Sequence, residues 1–285
     1  MRRITSLFQR VSFAAVLCLY TLSINGQSFQ QHIRFLANDS LQGRPPGTVY
    51  EKMAADYILK QLQQTNCDEA FLQSFPFYQD SAVNVIGLRS HNSDSTIIIC
   101  AHFDHLGLGG AKSLEVKKKG IHNGADDNAS GVAMMIELAK WSGQIESKYN
   151  LLFVAFSAHE VGLFGSSFFA KSDYFKRLKI RAIVNFDMVG RLDKQSQTLR
   201  ISGADSDTGF GDFFDNHQTT FKFRFDDEVL SNTDLAHFLE MQIPLLNFST
   251  GIHDDYHKTT DDESKINYQG MEQIFEMVKD LLTAL

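Results

Sequence analysis

Histidine and carboxylate side chains stand directly behind three of the most apolar segments of this 285-residue chain. His102, Glu160 and Asp187 each lie within four residues of the end of such a segment. Neutral imidazole and hard carboxylate oxygens are the donors that zinc takes in hydrolytic sites. If the three segments are neighbouring strands of one sheet, their ends deliver these side chains to a single edge. The apolar segments are residues 96–100, 151–156 and 182–186.

Three further segments carry polar residues that could join such a site. His102 and Asp104 form a His-x-Asp pair, Asp126 and Asp127 lie in a glycine-flanked polar segment, and His257 ends a turn-like stretch. Taken singly, each has an ordinary structural explanation: a hydrogen-bonded core histidine, a carboxylate at a helix N-terminus, or a solvated histidine. Their combination with the residues behind the strands is what points to chemistry.

The elements that must position these residues follow from the hydrophobic pattern. The three apolar segments are continuous rather than alternating, which is typical of strands buried on both faces. Apolar residues recur at helical spacing in 132–139 and 271–282, and residues 28–66 are also expected to be helical, interrupted by the turn-rich segment 43–47. We predict an α/β fold, a three-layer α/β/α sandwich around a mixed, mostly parallel sheet, with the functional residues at the carboxyl ends of its strands.

The N-terminal segment 1–26 is expected to be a secretory signal peptide. It carries three arginines and no acidic residue, and its apolar run from 11 to 24 is shorter than the roughly 20 residues that span a bilayer. A membrane anchor and a lipid anchor at Cys18 are the alternatives. The prediction is an exported protein, periplasmic or secreted and without a stable membrane anchor, in which residues 27–285 form one domain.

Composition excludes several classes of protein. Hydrophobic residues make up 43% of the chain and charged residues 21%, which excludes a disordered chain. The formal net charge of −7, or −10 once the three arginines of 1–26 are removed, makes nucleic acid an unexpected partner. Cys67 and Cys100 are the cysteines beyond that segment, and two thiols are expected rather than a disulfide. Oligomeric state cannot be read from the sequence.

The order and the residues of these segments resemble those of the co-catalytic di-zinc aminopeptidase family, which also includes glutaminyl cyclases and glutamate carboxypeptidase. The resemblance extends over nearly all of the chain beyond residue 26. It begins in 35–48 and 54–58, continues at 84–87, and takes in the segments around His102, Asp127, Glu160, Asp187 and His257.

This resemblance implies a zinc-exopeptidase fold and a role for each matching position. His102 and Asp187 are expected to bind one zinc ion. Glu160 and His257 are expected to bind a second ion, with Asp127 bridging the two. Two zinc ions that share a carboxylate can lower the pKa of a bridging water and polarise a carbonyl group. Three carboxylates and two neutral imidazoles leave the pair of ions with a small positive charge, which suits attack on a peptide bond.

Other positions are given supporting roles by the same resemblance. Asp104 is expected to orient the His102 imidazole, because side chains two apart on an extended chain point the same way. Asp126 is passed over as the bridging ligand, since the family uses the second aspartate of the Gly-Ala-Asp-Asp run. Asp234 follows a Thr and resembles the aspartate of a Ser-Asp pair, so it is a candidate for the substrate pocket, with a structural cap as the alternative. Tyr256 is a second candidate substrate contact.

One position departs from the family pattern. In the peptidases the zinc-binding glutamate is preceded by a glutamate that acts as general base, whereas here the pair is His159-Glu160. A general base contributes roughly 10²- to 10⁴-fold to the rate, and a neutral imidazole can take that part. Three interpretations stay open: an active hydrolase that uses His159 or a substitute base, an extra zinc ligand at His159, and a weakly active or inactive member.

The resemblance implies a zinc-dependent exopeptidase that removes N-terminal residues from peptides through a zinc-bridged hydroxide. A carboxylate-rich site would also attract the ammonium group of a free N-terminus. A glutaminyl-cyclase-like acyltransferase is the first alternative, although the segment 161–166 resembles the peptidase version of that loop. A non-catalytic zinc-binding protein is the second, motivated by His159.

Overall fold

Eight strands form one mixed sheet in the computed structural model, which describes residues 27–115, 119–204, 210–226 and 230–285. Residues 1–26, where the signal peptide is predicted, lie outside the described residues. The strands are β1 (Glu69–Phe77), β2 (Asp80–Arg89), β3 (Thr96–His102), β4 (Asn150–Phe156), β5 (Ile180–Phe186), β6 (Thr198–Ser202), β7 (Lys222–Phe225) and β8 (Leu245–Ser249).

The strand order is β1-β2-β4-β3-β5-β8-β6-β7. The central strands β4, β3, β5 and β8 run parallel to one another, while β1, β2 and β6 pair antiparallel to their neighbours. β7 is parallel to β6. This arrangement confirms the predicted mixed, mostly parallel sheet, and it places the ends of β4, β3 and β5 side by side.

Helices cover both faces of the sheet and confirm the three-layer sandwich. α1, α2, α3, α6 and α7 pack in one apolar layer, and α4, α5 and the 3₁₀ helix Asp234–Met241 pack in the other. Successive residues of β3 alternate between these layers, which explains why residues 97–101 form a continuous apolar run. The helices are α1 (27–36), α2 (Val49–Gln64), α3 (Gly131–Ser142), α4 (Phe164–Lys171), α5 (Asp173–Lys176), α6 (Gly211–Asn216) and α7 (Tyr268–Ala284).

Strands β1 and β7 at the two ends of the sheet, and β6 beside β7, have no counterpart among the predicted segments. Only two residues of β1 are buried, and none of β7 is. An end strand pairs on one side only and is partly solvated, so it lacks the continuous apolar run that reveals a central strand. The helical segment predicted over 28–66, with its interruption at 43–47, is confirmed as the two helices α1 and α2, and a short 3₁₀ helix, Asp39–Leu41, precedes the turn between them.

Arg44 joins the turn after α1 to the loops that carry the polar residues. Its side chain is fully buried. The guanidinium group donates to the backbone carbonyl oxygens of Phe103 at 2.6 Å, Asn123 at 2.6 Å and Gly124 at 3.1 Å. Buried carbonyl groups need such donors, since an unpaired one costs about 1–3 kcal/mol. Arg44 therefore helps to hold the end of β3 and the segment before α3 next to each other.

Cys67 and Cys100 are free thiols. Among the residues that the structure describes, no helix has both the length and the apolar character that a membrane-crossing helix requires.

Replacing Glu137 by glutamine is expected to lower the free energy of unfolding by about 2 kcal/mol at neutral pH. The buried Glu137 carboxylate of α3 lies 3.0 Å from Nε2 of His32 on α1 and also accepts from Ser28. Burial would raise the pKa of Glu137, but the hydrogen bonds from His32 and Ser28 lower it below the usual value. Because the pKa of Glu137 is lower in the folded state, its ionised carboxylate stabilises the fold above the unfolded-state pKa of about 4.5. This stabilisation is lost as pH falls through the folded-state pKa.

Urea unfolding of the metal-free protein at several pH values checks this expectation. The difference between wild type and Glu137→Gln should be full at neutral pH and should shrink below about pH 4.5. Glu276→Gln, which alters an exposed glutamate paired with Lys279 on α7, is the control and should change stability by less than about 0.5 kcal/mol. A difference that does not depend on pH would contradict the electrostatic explanation.

Candidate metal centre and active site

The carboxyl ends of β3, β4 and β5 carry the candidate site. His102 is the last residue of β3, Asp187 directly follows β5, and Glu160 lies four residues beyond β4. Asp127 comes from the segment before α3, and His257 comes from the loop after β8. The structure thus brings together all five residues that the sequence nominated as metal ligands.

Asp127 lies between two groups of side chains. Its Oδ1 is 3.3 Å from Nε2 of His102, and its Oδ2 is 3.2 Å from Nε2 of His257. In the first group, Oδ1 of Asp187 is 3.7 Å from the same His102 nitrogen. In the second, Oε1 of Glu160 is 3.3 Å from the same His257 nitrogen. A carboxylate with one oxygen toward each group is placed as a ligand shared by two cations.

The histidines present the form that binds a metal. Nδ1 of His102 lies 3.2 Å from the backbone carbonyl oxygen of Asp104, and Nδ1 of His257 lies 2.9 Å from that of Lys112. A neutral histidine that donates Nδ1–H to a carbonyl has an unprotonated Nε2, which can bind a metal ion. Nε2 of His102 is buried and has no hydrogen-bond partner among the described residues. The donor set therefore fits a cation in each group.

The pKa shifts of the histidines and of Asp127 also favour a bound cation at this site. Burial alone would lower the pKa of His257, yet Asp127 and Glu160 raise it to about 10. Burial is likewise outweighed at His102, where neighbouring carboxylates raise the pKa well above the usual value. Burial would raise the pKa of Asp127, but His105, His102 and His257 hold it well below its usual range. The carboxylates thus require positive charge beside them, which protons supply without a metal and a divalent cation would replace.

His105 is a residue that the sequence reasoning did not select. Its Nδ1 lies 3.0 Å from Oε1 of Glu160 and 3.9 Å from Oδ2 of Asp127, and its Nε2 is buried without a hydrogen-bond partner in the described part of the chain. A signal was available, because His105 stands three residues after His102 in the same run. Within the described ranges, ligand atoms lie within 4.8 Å of one another in two groups: His105, Asp127 and Glu160, and His102, His159 and Asp187.

Asp104 is fully buried, and its carboxylate mainly holds the loop that carries Glu160. Oδ1 accepts from the backbone N–H of His159 at 3.0 Å, and Oδ2 accepts from that of Glu160 at 3.2 Å. The carboxylate is 3.8 Å from Nδ1 of His102, whose hydrogen bond goes instead to the Asp104 backbone carbonyl. β3 ends at His102, so the alternation of an extended strand no longer applies two residues later.

His159 and Asp234 form a hydrogen-bonded pair. Nδ1 of His159 lies 3.0 Å from Oδ2 of Asp234, and the His159 ring stacks on His102 with ring centroids 3.8 Å apart. Burial and the neighbouring His102 would lower the pKa of His159, but Asp234 raises it above the usual value. Asp234, nominated for the substrate pocket, is fully buried behind His159, whereas its neighbour Thr233 lines the cavity.

A cavity of about 620 Å³ opens beside these groups, a size that suits a small-molecule or peptide-residue ligand. Asp127, His159, Glu160 and Asp187 line it together with His257. Tyr256, the second candidate substrate contact, also lines the cavity, and its ring stacks on that of His257 with centroids 3.8 Å apart.

A second network, which sequence reasoning missed, holds Asp127 in place. Oδ2 of Asp261 accepts from the backbone N–H groups of Asp126 and Asp127 at 2.9 and 3.0 Å. The Asp126 carboxylate accepts from Gly190 N–H at 2.6 Å and lies 3.1 Å from Nε2 of His253. Asp261 acts on backbone groups that are distant in sequence, so no local motif announces it.

The fold is an α/β sandwich, and the site gathers histidine and carboxylate donors of the kind that hydrolytic metal sites use. The family model described as peptidase family M28 matches residues 84–282. The chain belongs to this family.

The chain is similar in sequence to curated proteins and similar in fold to solved structures. Aminopeptidase YwaD of Bacillus subtilis is 27% identical over 229 residues, which cover 75% of this chain and 47% of that protein. The chain spans half or less of the length of the curated relatives it matches. A leucine aminopeptidase precursor from Bacteroides thetaiotaomicron superposes with a TM-score of 0.74 at 18% identity, covering 91% of this chain and 97% of that chain.

A glutaminyl cyclase from the same organism, bound to N-acetylhistamine, also superposes with a TM-score of 0.74. Its identity is 17%, and the alignment covers 91% of this chain and 98% of that chain. At such identities the likeness establishes the fold alone. Because a peptidase and a cyclase fit equally well, the fold does not choose between the two reactions.

Proposed function

We propose that the chain is a zinc-dependent aminopeptidase that hydrolyses N-terminal residues from peptides with a free N-terminus. The observation that carries the proposal is the position of Asp127, whose two oxygens lie 3.3 and 3.2 Å from imidazole nitrogens of two separate groups. Membership of a peptidase family supports it. Two zinc ions are proposed, one held by His102, Asp127 and Asp187 and the other by Asp127, Glu160 and His257.

Zinc bound there supplies Lewis acidity, which polarises a carbonyl group and lowers the pKa of water. His159 is proposed as the general base. Asp234 holds its Nδ1, so Nε2 is the nitrogen available to take a proton from the attacking water and pass it to the leaving amine. The Asp234 carboxylate stabilises the imidazolium that forms, because the two groups are 3.0 Å apart and the carboxylate is buried.

Other residues of the chain position these groups. Asp104 fixes the backbone of His159 and Glu160, and Asp261 fixes that of Asp127. Each side chain thereby meets the cavity in one orientation, which catalysis requires. A role of His159 as an additional zinc ligand is the alternative, and zinc affinity separates the two interpretations.

Residues 1–26 are proposed as a signal peptide and 27–285 as one domain, exported to the periplasm or beyond. A peptide with a free N-terminus is the proposed substrate, because carboxylates at the cavity attract its ammonium group.

We expect the purified protein with two equivalents of zinc to release the amine from aminoacyl amides. The matched N-acetylated amides should remain intact, since they lack the free ammonium group. A chelator should abolish turnover and added zinc should restore it. Conversion of a glutaminyl peptide to pyroglutamate without hydrolysis would instead establish the cyclase alternative. If both wild type and His159→Glu bind zinc but turn over neither substrate, the non-catalytic alternative holds.

A further inference from the structure

A polar patch on strands β6 and β8 lines the same cavity as the proposed zinc ligands. Arg200 lies opposite Ser249, and Ser202 lies opposite Asn247, across the antiparallel β6–β8 pair. All four residues line the cavity. Residues directly opposite each other on neighbouring strands share one face of the sheet. These four residues therefore form one continuous surface, which we call the polar ladder.

The polar ladder lies on the face of β6 and β8 opposite to the apolar core that these strands share with α6 and α7. The alternate residues of the same strands face the other way and are buried in the apolar core: Leu199, Ile201, Leu246 and Phe248. Side chains of a strand alternate between its two faces, so the sequence here separates apolar residues toward the core from polar residues toward the cavity. β3, which is covered by helices on both faces, is buried at every position. Ser202 and Asn247 are buried, and Asn247 accepts a hydrogen bond from Nδ2 of Asn185 at 2.8 Å, whereas Arg200 and Ser249 remain partly exposed at the cavity.

Arg200 gives the polar ladder a positive charge. Its Nε donates to Oδ2 of Asp226 at 2.6 Å, and the other oxygen of that carboxylate accepts from Nε of Arg224 at 3.1 Å. Two guanidinium groups thus share one carboxylate, which leaves one net positive charge. The side chain of Arg200 is 34% exposed, and its terminal nitrogens make no hydrogen bond to other described residues.

Arg200 also contacts the loop that leads to the proposed zinc ligand His257. A Cβ atom on Gly251 would come within 3.0 Å of Cδ and 3.3 Å of Nη1 of Arg200, so the side chain lies directly against the glycine backbone. Gly251 has a φ of +89° and lines the cavity as well. Arg200 and most of the proposed zinc ligands therefore line one cavity.

We propose that Arg200 binds a carboxylate of the substrate, which makes the chain selective for peptides that carry an anionic group close to the scissile bond. This inference rests on the proposed aminopeptidase function. The terminal N–H donors of a guanidinium group match the two oxygens of a carboxylate. An apolar side chain in the same position would remove water from Arg200 and return no hydrogen bond. The carboxylate is either the side chain of an acidic N-terminal residue or the C-terminus of a dipeptide.

Paired substrates measured with wild type and Arg200→Gln test the proposal. Glutamyl amide against glutaminyl amide reports a side-chain carboxylate, and Ala-Ala against Ala-Ala-amide reports a C-terminal one. In one pair we expect wild type to prefer the anionic member, with a preference in kcat/KM that falls about 10- to 100-fold in Arg200→Gln. The neutral member should change less than about 3-fold. Arg224→Gln is the matched control, because Arg224 contacts the same Asp226 but does not line the cavity among the described residues.

Calorimetric binding of free glutamate and glutamine tests the Arg200 site independently of peptide hydrolysis. Arg200-dependent binding of glutamate without turnover of any peptide would contradict the aminopeptidase and leave the Arg200 site standing. Turnover without an anionic preference in either pair would overturn the Arg200 site and leave the aminopeptidase standing. Equal losses in Arg200→Gln and Arg224→Gln would show an effect on local folding and would also overturn it.

Discussion

The Asp127→Asn variant is expected to bind one equivalent of zinc or fewer and to lose at least about 10³-fold in kcat/KM. Asparagine keeps the shape of the side chain but has a single oxygen and no charge. The two oxygens of Asp127 lie beside His102 and His257, so the substitution removes the group that both halves of the site share. Metal-based stabilisation of charge in the transition state amounts to several kcal/mol, and each 1.36 kcal/mol is a factor of about ten in rate.

Elemental analysis after dialysis against buffered zinc, together with aminoacyl amide hydrolysis, measures both effects. Asp173→Asn on α5 is the control, because that carboxylate is 82% exposed and forms a surface ion pair with Lys176. It should retain the zinc content and rate of wild type. Two equivalents of tightly held zinc in Asp127→Asn would contradict the bridging role.

His159→Ala is expected to lower kcat by about 10²- to 10⁴-fold while zinc binds with unchanged affinity. The imidazole is the proposed proton acceptor, and it lines the cavity together with most of the proposed zinc ligands. Asp234→Asn should give a smaller loss, about 10- to 100-fold in kcat with little change in KM, because it removes the orienting charge and keeps the base. His159→Glu supplies a different base at the same position and should recover part of the lost rate.

Zinc titrations and steady-state kinetics on the same preparations distinguish the interpretations of His159. A loss of zinc affinity of 10-fold or more in His159→Ala would assign it as a ligand, in keeping with its place beside His102 and Asp187. An unchanged kcat would rule it out as the base. His217→Ala, at a partly exposed histidine that stacks on Phe213, controls for the loss of an imidazole.

The central part of the fold could be predicted because its sequence signal is strong. A parallel strand buried on both faces contains a nearly continuous apolar run, and β3, β4 and β5 contain such runs at 97–101, 151–156 and 182–184. Strands β1 and β7 gave no such signal, since their side chains are largely solvated. The residues that follow the central strands could be predicted as site residues for a related reason. Once the parallel strands are located, the residues at their carboxyl ends must lie along one edge of the sheet.

The support of the site could not be predicted in the same way. Asp261 holds the backbone of Asp127 from 134 residues away, and Arg44 holds the loop at Gly124 from 80 residues away. Such contacts depend on where a loop returns in space, and loops carry no periodic pattern. Asp104 shows the limit of local geometry, because its predicted orientation assumed a strand that ends two residues earlier.

The amino-acid sequence alone determined the fold class, the strand ends that carry histidine and carboxylate side chains, and the kind of chemistry those donors allow. These follow from local properties: hydrophobic runs define strands, and residue types define ligands. Only the tertiary structure decided which side chains share a hydrogen bond or a cavity. It paired His159 with Asp234, added His105 beside Glu160, and placed Arg200 in the same cavity. Contacts between residues distant in sequence depend on strand order and loop path, which no local pattern contains.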